Sequence, residues 1–219
     1  MIKACIFDLD GVIVDTAKYH YLAWKQMANE LGFDFSETQN EQLKGVSRMD
    51  SINLILGWGG KTLTEAEKQR WATWKNEQYQ AFLHQMGADE VLPGVRELLD
   101  ELRANNIKIA LGSASKNAVL ALTQVGMLDY FEAIVDGTKT TRSKPDPQVF
   151  EMGAEALGFS PDECIVFEDA ESGVTAALRG GFYAVGIGAP ENLGHAHLVL
   201  PNLAQTTFDD ILKALPIAA

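Results

Sequence analysis

The sequence predicts an α/β fold, a doubly wound (Rossmann-like) parallel sheet core with an inserted all-helical cap domain. Three observations carry that expectation. Six short apolar runs recur along the 219 residues, at 4–7, 107–111, 133–135, 164–167, 184–187 and 198–200. They are continuous rather than alternating, which suits strands buried on both faces of a parallel sheet. Helical stripes lie between the later runs, and that alternation builds an open, doubly wound sheet. Residues from about 16 to 91 break the alternation with helical periodicity and no convincing strand.

Each element follows from its local pattern. The first run, Ala4-Cys5-Ile6-Phe7, is a buried strand. In the insertion, Ala17, Tyr21, Trp24, Ala28 and Leu31 share one helical stripe that Gly32 closes, and Trp71, Trp74, Gln78 and Phe82 share another. After Pro93, Val95, Leu98, Leu99 and Leu102 keep one helix face. Val149, Phe150, Ala154 and Leu157 do so after Pro147, and Phe208, Ile211, Leu212 and Leu215 near the end. The expected division is residues 1–15 and 92–219 as core and 16–91 as cap, with chain crossings near residues 14–16 and 89–93.

Composition narrows the function. Hydrophobic residues make up 47% and charged residues 22%, an ordinary globular balance. With 18 Lys and Arg against 30 Asp and Glu, net charge −12, and no basic block, binding of nucleic acid by counterion release is not expected. Cys5 and Cys164 read as buried thiols of a reduced compartment rather than a disulfide framework. Lys3, Asp8, Asp10 and Asp15 interrupt the apolar start, and no apolar stretch approaches the roughly 18 residues of a membrane span. A cytoplasmic monomer with a small-molecule substrate is the expectation.

The chemistry-bearing residues stand at strand ends, where open α/β sheets bind ligands. Asp8-Leu9-Asp10-Gly11 follows the first strand. It is not an EF-hand loop, because the twelfth position counted from Asp8 is Tyr19 rather than Glu. Gly112-Ser113-Ala114-Ser115-Lys116-Asn117 follows the second, a turn of hydroxyls and backbone N–H groups suited to phosphate. Lys144 sits in the rigid turn Ser143-Lys144-Pro145-Asp146-Pro147, and Glu168-Asp169-Ala170 ends the fourth run. Singly, these are a turn aspartate, an N-cap serine, a solvated lysine and N-cap acids. In order, they are carboxylates for a hard cation, a hydroxyl and an ammonium for phosphoryl oxygens, and a carboxylate nucleophile.

By this ordered set the sequence resembles the haloacid dehalogenase superfamily of aspartyl-phosphate phosphotransferases, with all four motifs present. Phe7 to Ile13, Thr16, His20, Lys44-Gly45-Val46-Ser47-Arg48 and Ser113 to Asn117 look most like its phosphosugar mutases, across nearly the whole chain. Gly112 and Ala170 stand where relatives often carry Ala and Ser. The resemblance implies Asp8 as nucleophile, Asp10 as general acid and base, and Ser113 and Lys144 on the phosphoryl oxygens. It implies Mg²⁺ held by Asp8, the Asp10 carbonyl, Asp169 and Glu168, the last directly or through water. It also implies a cis Lys144-Pro145 bond. Thr16, His20, Trp24, Lys44, Gly45, Val46, Ser47, Arg48, Ser51, Lys75, Ser113, Ala114, Ser115, Lys116 and Asn117 are the candidate substrate contacts, Arg48 as the fork for a distal phosphate. Lys75 reads equally as a solvated helix residue, and His20 as a surface one. Two other readings are a sugar-phosphate phosphatase of the same fold and a silent binding protein; the second requires a broken motif, and Asp8 and Asp10 are both intact.

Overall fold

A computed structural model describes residues 1–43 and 46–217. Its centre is a six-stranded, all-parallel sheet in the order β3-β2-β1-β4-β5-β6. The strands are β1 (Ala4–Phe7), β2 (Lys108–Gly112), β3 (Ala133–Val135), β4 (Cys164–Glu168), β5 (Tyr183–Ile187) and β6 (Leu198–Leu200). All six expected runs are strands. Their continuous hydrophobicity has a plain cause: β1 is buried at every residue, because helices cover both faces of the sheet.

Cys5 and Phe7 face a cluster with α5 (Val95–Ala104), α6 (Ala118–Gln124) and α10 (Phe208–Ala214). Ala4 and Ile6 face the other cluster, with α7 (Gln148–Leu157), α8 (Glu171–Arg179) and α9 (Pro190–Leu193). Phe7 and Phe167 on neighbouring strands stack with centroids 4.4 Å apart. Burying a ring of this size stabilises the fold by about 1.5–3 kcal/mol. Gly112 is fitted to its place, since a Cβ there would meet the Phe150 ring at 2.8 Å.

Between β1 and α5 the named elements are helical: α1 (Ala17–Glu30), α2 (Glu37–Glu41), α3 (Arg48–Trp58) and α4 (Glu65–Leu83), then a 3₁₀ turn at Ala88–Glu90. Ser36 and Thr64 close capping boxes at the starts of α2 and α4, and the Ser47 side chain caps α3. Trp24, Met27, Phe35, Ile52, Ile55 and Ala72 form a separate small core. The two connections to the sheet lie side by side. Asp15 N–H donates to Glu90 O (3.2 Å), Leu92 N–H donates to Ile13 O (3.0 Å), and Val14 bridges Val91.

One helix face differs from expectation. The fully buried stripe of α4 is Ala72-Lys75-Tyr79-Leu83, with Trp71, Trp74, Gln78 and Phe82 half-buried one position to the side. A count of hydrophobic side chains weights the tryptophans and not a lysine, and so sets the expected face one residue away from the buried one. Lys75 is only 2% exposed and not solvated.

Candidate active site

The register of the central strands assembles the site. Phe7 pairs with Leu111 on one side and Phe167 on the other, so the residues that follow emerge together at the carboxyl edge. Asp8 leaves β1 between the Ser113 loop and Glu168. A tight turn comes next, with Ile13 N–H and Val14 N–H both donating to Leu9 O. Gly11 holds φ +81°, and a Cβ there would come within 2.2 Å of an Asp169 carboxylate oxygen. The turn therefore lies directly on Asp169.

Lys144 binds the floor of the site. Its Nζ donates to Asp8 Oδ1 at 2.5 Å and also to Glu168 Oε1, and the Lys144-Pro145 bond is cis, as expected. Burial works against this ammonium, but the charges and hydrogen bonds of Asp8 and Glu168 outweigh it and hold its pKa above that of an ordinary lysine. Burial raises the Glu168 pKa, against the pull of Lys144. Gly173 gives Glu168 its space, since a Cβ there would overlap its carboxylate. Asp10 N–H donates to Asp8 Oδ2 (3.0 Å).

Asp10 points toward the helices. Burial raises its pKa to about 6, helped by the Asp8 charge and opposed by Thr16, Lys144 and Lys75. Thr16, at the N-cap of α1, makes no capping bond; its hydroxyl donates to Asp10 Oδ1 instead. Beyond Thr16 stands a buried cluster. Lys75 Nζ lies 3.0 Å from His20 Nδ1, 4.3 Å from the Trp24 ring centre and 4.6 Å from that of Tyr79. An ammonium only donates, so His20 accepts at Nδ1 and carries its proton on Nε2. Burial, then Lys75 and Arg48, push the His20 pKa well below its usual value. Burial likewise lowers Lys75 and raises Tyr79. The buried Tyr79 hydroxyl lies beside Thr16 and has no hydrogen-bond partner among the described residues.

These groups enclose one cavity of about 420 Å³ between the helical segment and the sheet edge. Asp8, Asp10, Ser113, Lys144, Glu168 and Asp169 line its floor, with Ala114, Ser115, Lys116 and Asn117 along the β2 loop. His20, Trp24, Val46, Ser47, Arg48 and Lys75 line the roof. Thr16 is buried behind the wall, and Ser51 is buried on α3 outside the lining. Lys44 and Gly45 lie outside the described residues. The sequence reading missed Asn40, Met49, Asn76, Tyr79 and the wall of Thr140 to Ser143. Asn76 and Tyr79 sit one and four residues after Lys75; a lysine on a buried helix face was the signal that could have found them.

Comparison with known proteins agrees with this geometry. The family model for haloacid dehalogenase-like hydrolases matches residues 2–181. A β-phosphoglucomutase of Bacillus subtilis is 43% identical over 94% of this chain and 92% of its own length. A phosphorylated carbohydrates phosphatase of Thermotoga maritima is 29% identical over 97% and 98%. The crystal structure of a Clostridium difficile β-phosphoglucomutase superposes with a TM-score of 0.94, at 44% identity over 98% of this chain and 97% of that one.

Proposed function

This chain belongs to the haloacid dehalogenase-like hydrolase family, and we propose that it is an isomerase with β-phosphoglucomutase activity. It interconverts β-D-glucose 1-phosphate and glucose 6-phosphate through an aspartyl-phosphate enzyme and β-glucose 1,6-bisphosphate. The observation that carries this reading is one cavity with a buried cationic side chain on its floor and another cation on its roof. Asp8, Ser113 and Lys144 stand on its floor, and the guanidinium of Arg48 on its roof.

Asp8 attacks phosphorus, and the P–O bond to the sugar oxygen breaks as the acyl phosphate forms. Lys144 offsets the charge gathering on the phosphoryl oxygens, with the Ser113 hydroxyl beside it, the electrostatic assistance such a transfer relies on. Asp10, whose pKa of about 6 leaves a protonated fraction near neutral pH, gives its proton to the departing sugar oxygen. In the opposite half-reaction the free hydroxyl of an incoming sugar monophosphate attacks the acyl phosphate, Asp10 takes the hydroxyl proton, and the bond to Asp8 breaks as β-glucose 1,6-bisphosphate forms. Thr16, His20 and Lys75 hold Asp10 in place from the cap side. Arg48, with Ser115, Lys116 and Asn117, holds the phosphate that is not reacting, so the bisphosphate turns around between the two places. Trp24, Val46 and Ser47 enclose the sugar.

A divalent cation fits the floor. Among the described residues no three acidic, His or Cys side chains close into a metal cage. Yet the cradle of Gly11 against Asp169, with Asp8 beside it, offers the all-oxygen donors a hard cation takes. Asp8, Asp169 and the Asp10 carbonyl would hold Mg²⁺, with Glu168 next to them. Bound there, Mg²⁺ supplies positive charge that offsets repulsion between Asp8 and the incoming phosphate.

The 16–91 segment acts as a cap that opens and closes about the paired crossings at residues 13–15 and 90–92, since an enclosed bisphosphate cannot otherwise turn or leave. The test is to mix enzyme, Mg²⁺ and bisphosphate, quench in acid and map the modified peptide. Phosphate on Asp8 is expected; a fully active enzyme with no acyl phosphate at Asp8 contradicts the mechanism.

A further inference from the structure

Gln80 lies outside the cavity, one turn beyond Asn76 on the same face of α4, yet it touches the sheet core. Its Nε2 donates to Asn117 Oδ1 at 2.8 Å. Asn117 in turn donates from Nδ2 to Asn76 Oδ1 at 2.8 Å, and Arg48 Nη2 donates to that same oxygen at 2.7 Å. Asn117 belongs to the core, at the N-cap of α6; the other three belong to the helical segment.

We propose that Gln80 is a positioning residue for the mutase reaction: it closes an amide chain across the cleft that orients Arg48 toward the second phosphate. The proposal rests on the reading of Arg48 given above. The polarity of the chain is the argument. A guanidinium only donates, so Asn76 must present its oxygen to Arg48. That oxygen also meets Asn117, which must therefore offer its NH₂ group. The Asn117 oxygen is thereby turned to Gln80, and Gln80 is the donor that meets it. Asn117 is 7% exposed, so without Gln80 this acceptor is left nearly buried and unmet, and either amide gains freedom to flip. A flip at Asn117 sets acceptor against acceptor at Asn76 and loosens Arg48.

The same amide ties closure to the phosphate loop. Asn117 N–H donates to Ser115 Oγ (3.2 Å), and Ser115 N–H to Ser113 Oγ (3.1 Å). Gln80 thus braces, through Asn117, the Ser115 end of that loop and the start of α6, while Ser113 N–H is held independently by Val135 O at 2.9 Å.

Two variants of similar size separate polarity from packing. Gln80→Leu removes the donor; Gln80→Glu replaces it with an acceptor and reverses the polarity demanded of Asn117. We expect KM for β-glucose 1-phosphate to rise about tenfold in Gln80→Leu and further in Gln80→Glu, as an unmet buried acceptor predicts. Phosphorylation of Asp8 by acetyl phosphate, which needs only the core, should stay at the wild-type rate in both. Hydrogen exchange of the ligand-free proteins should quicken over residues 115–121 in both. A wild-type KM in both variants, or equal losses in labelling and turnover, overturns the proposal. If the wild-type enzyme itself forms no glucose 6-phosphate, the functional reading fails and exchange decides this one: faster exchange over 115–121 supports the brace, and unchanged exchange refutes it.

Discussion

Asp8 and Lys144 attract each other in a site dry enough for the attraction to count, and Glu168 shares the same ammonium. Removing the Asp8 charge therefore leaves Lys144 paired. Asp8→Asn should fold with an unchanged near-UV circular dichroism spectrum and show no turnover, because a carboxamide cannot form the acyl phosphate. On the roof, Arg48→Ala should raise KM for sugar phosphate about tenfold to a hundredfold, the usual worth of a charge-assisted contact. Labelling of Asp8 by acetyl phosphate should be spared, and steady-state kinetics with that control give the answer. His20 sets a pH dependence. Its folded pKa lies well below the ordinary value of about 6.5, so below that pH the unfolded chain binds a proton that the folded one refuses. Stability then falls as pH falls, by up to about 1.4 kcal/mol per unit from this residue. Urea melts at pH 5.5 and 7.5 should show a smaller loss for His20→Gln than for the wild type; equal losses remove His20 from the account.

At the scale of elements, the strands were legible because a strand buried on both faces leaves an unbroken apolar run. The site floor was legible for a related reason: Asp8, Ser113 and Glu168 follow strands whose register places them side by side. Helix α4 was legible only in part. Its buried stripe carries Lys75 and Tyr79, and a pattern that counts apolar residues settles on Trp71 and Trp74 instead. Gln80 gives no signal, since a polar residue on a helix looks solvated and its partner Asn117 lies 37 residues away. The buried ammonium of Lys75 also carries a stability cost, because burial disfavours its charged form, which water solvates freely in the unfolded chain. Lys75→Met keeps the length and drops the charge. It should raise the thermal midpoint by a few degrees, since ~1 kcal/mol is about 2–4 °C at this chain length, while turnover falls. A lowered midpoint in calorimetry would show that the contacts with Trp24 and Tyr79 outweigh desolvation.

Over the whole molecule, a net charge of −12 surrounds a cavity lined by Arg48, Lys75, Lys116 and Lys144. Asp8, Asp10, Asp15, Glu168 and Asp169 line it too, so the cavity is close to balanced in charge inside a molecule that is otherwise strongly negative. No helix among the described residues is long and apolar enough to cross a membrane. A mutase must keep hold of the sugar while its two ends exchange places, whereas a phosphatase hands the phosphoryl group to water. A phosphorus NMR time course with enzyme, Mg²⁺ and a catalytic amount of β-glucose 1,6-bisphosphate tests this most directly. With β-glucose 1-phosphate the resonance should be replaced by that of glucose 6-phosphate without a matching rise in inorganic phosphate, and α-glucose 1-phosphate should persist. Stoichiometric release of inorganic phosphate from the β anomer, with no glucose 6-phosphate, would contradict the account.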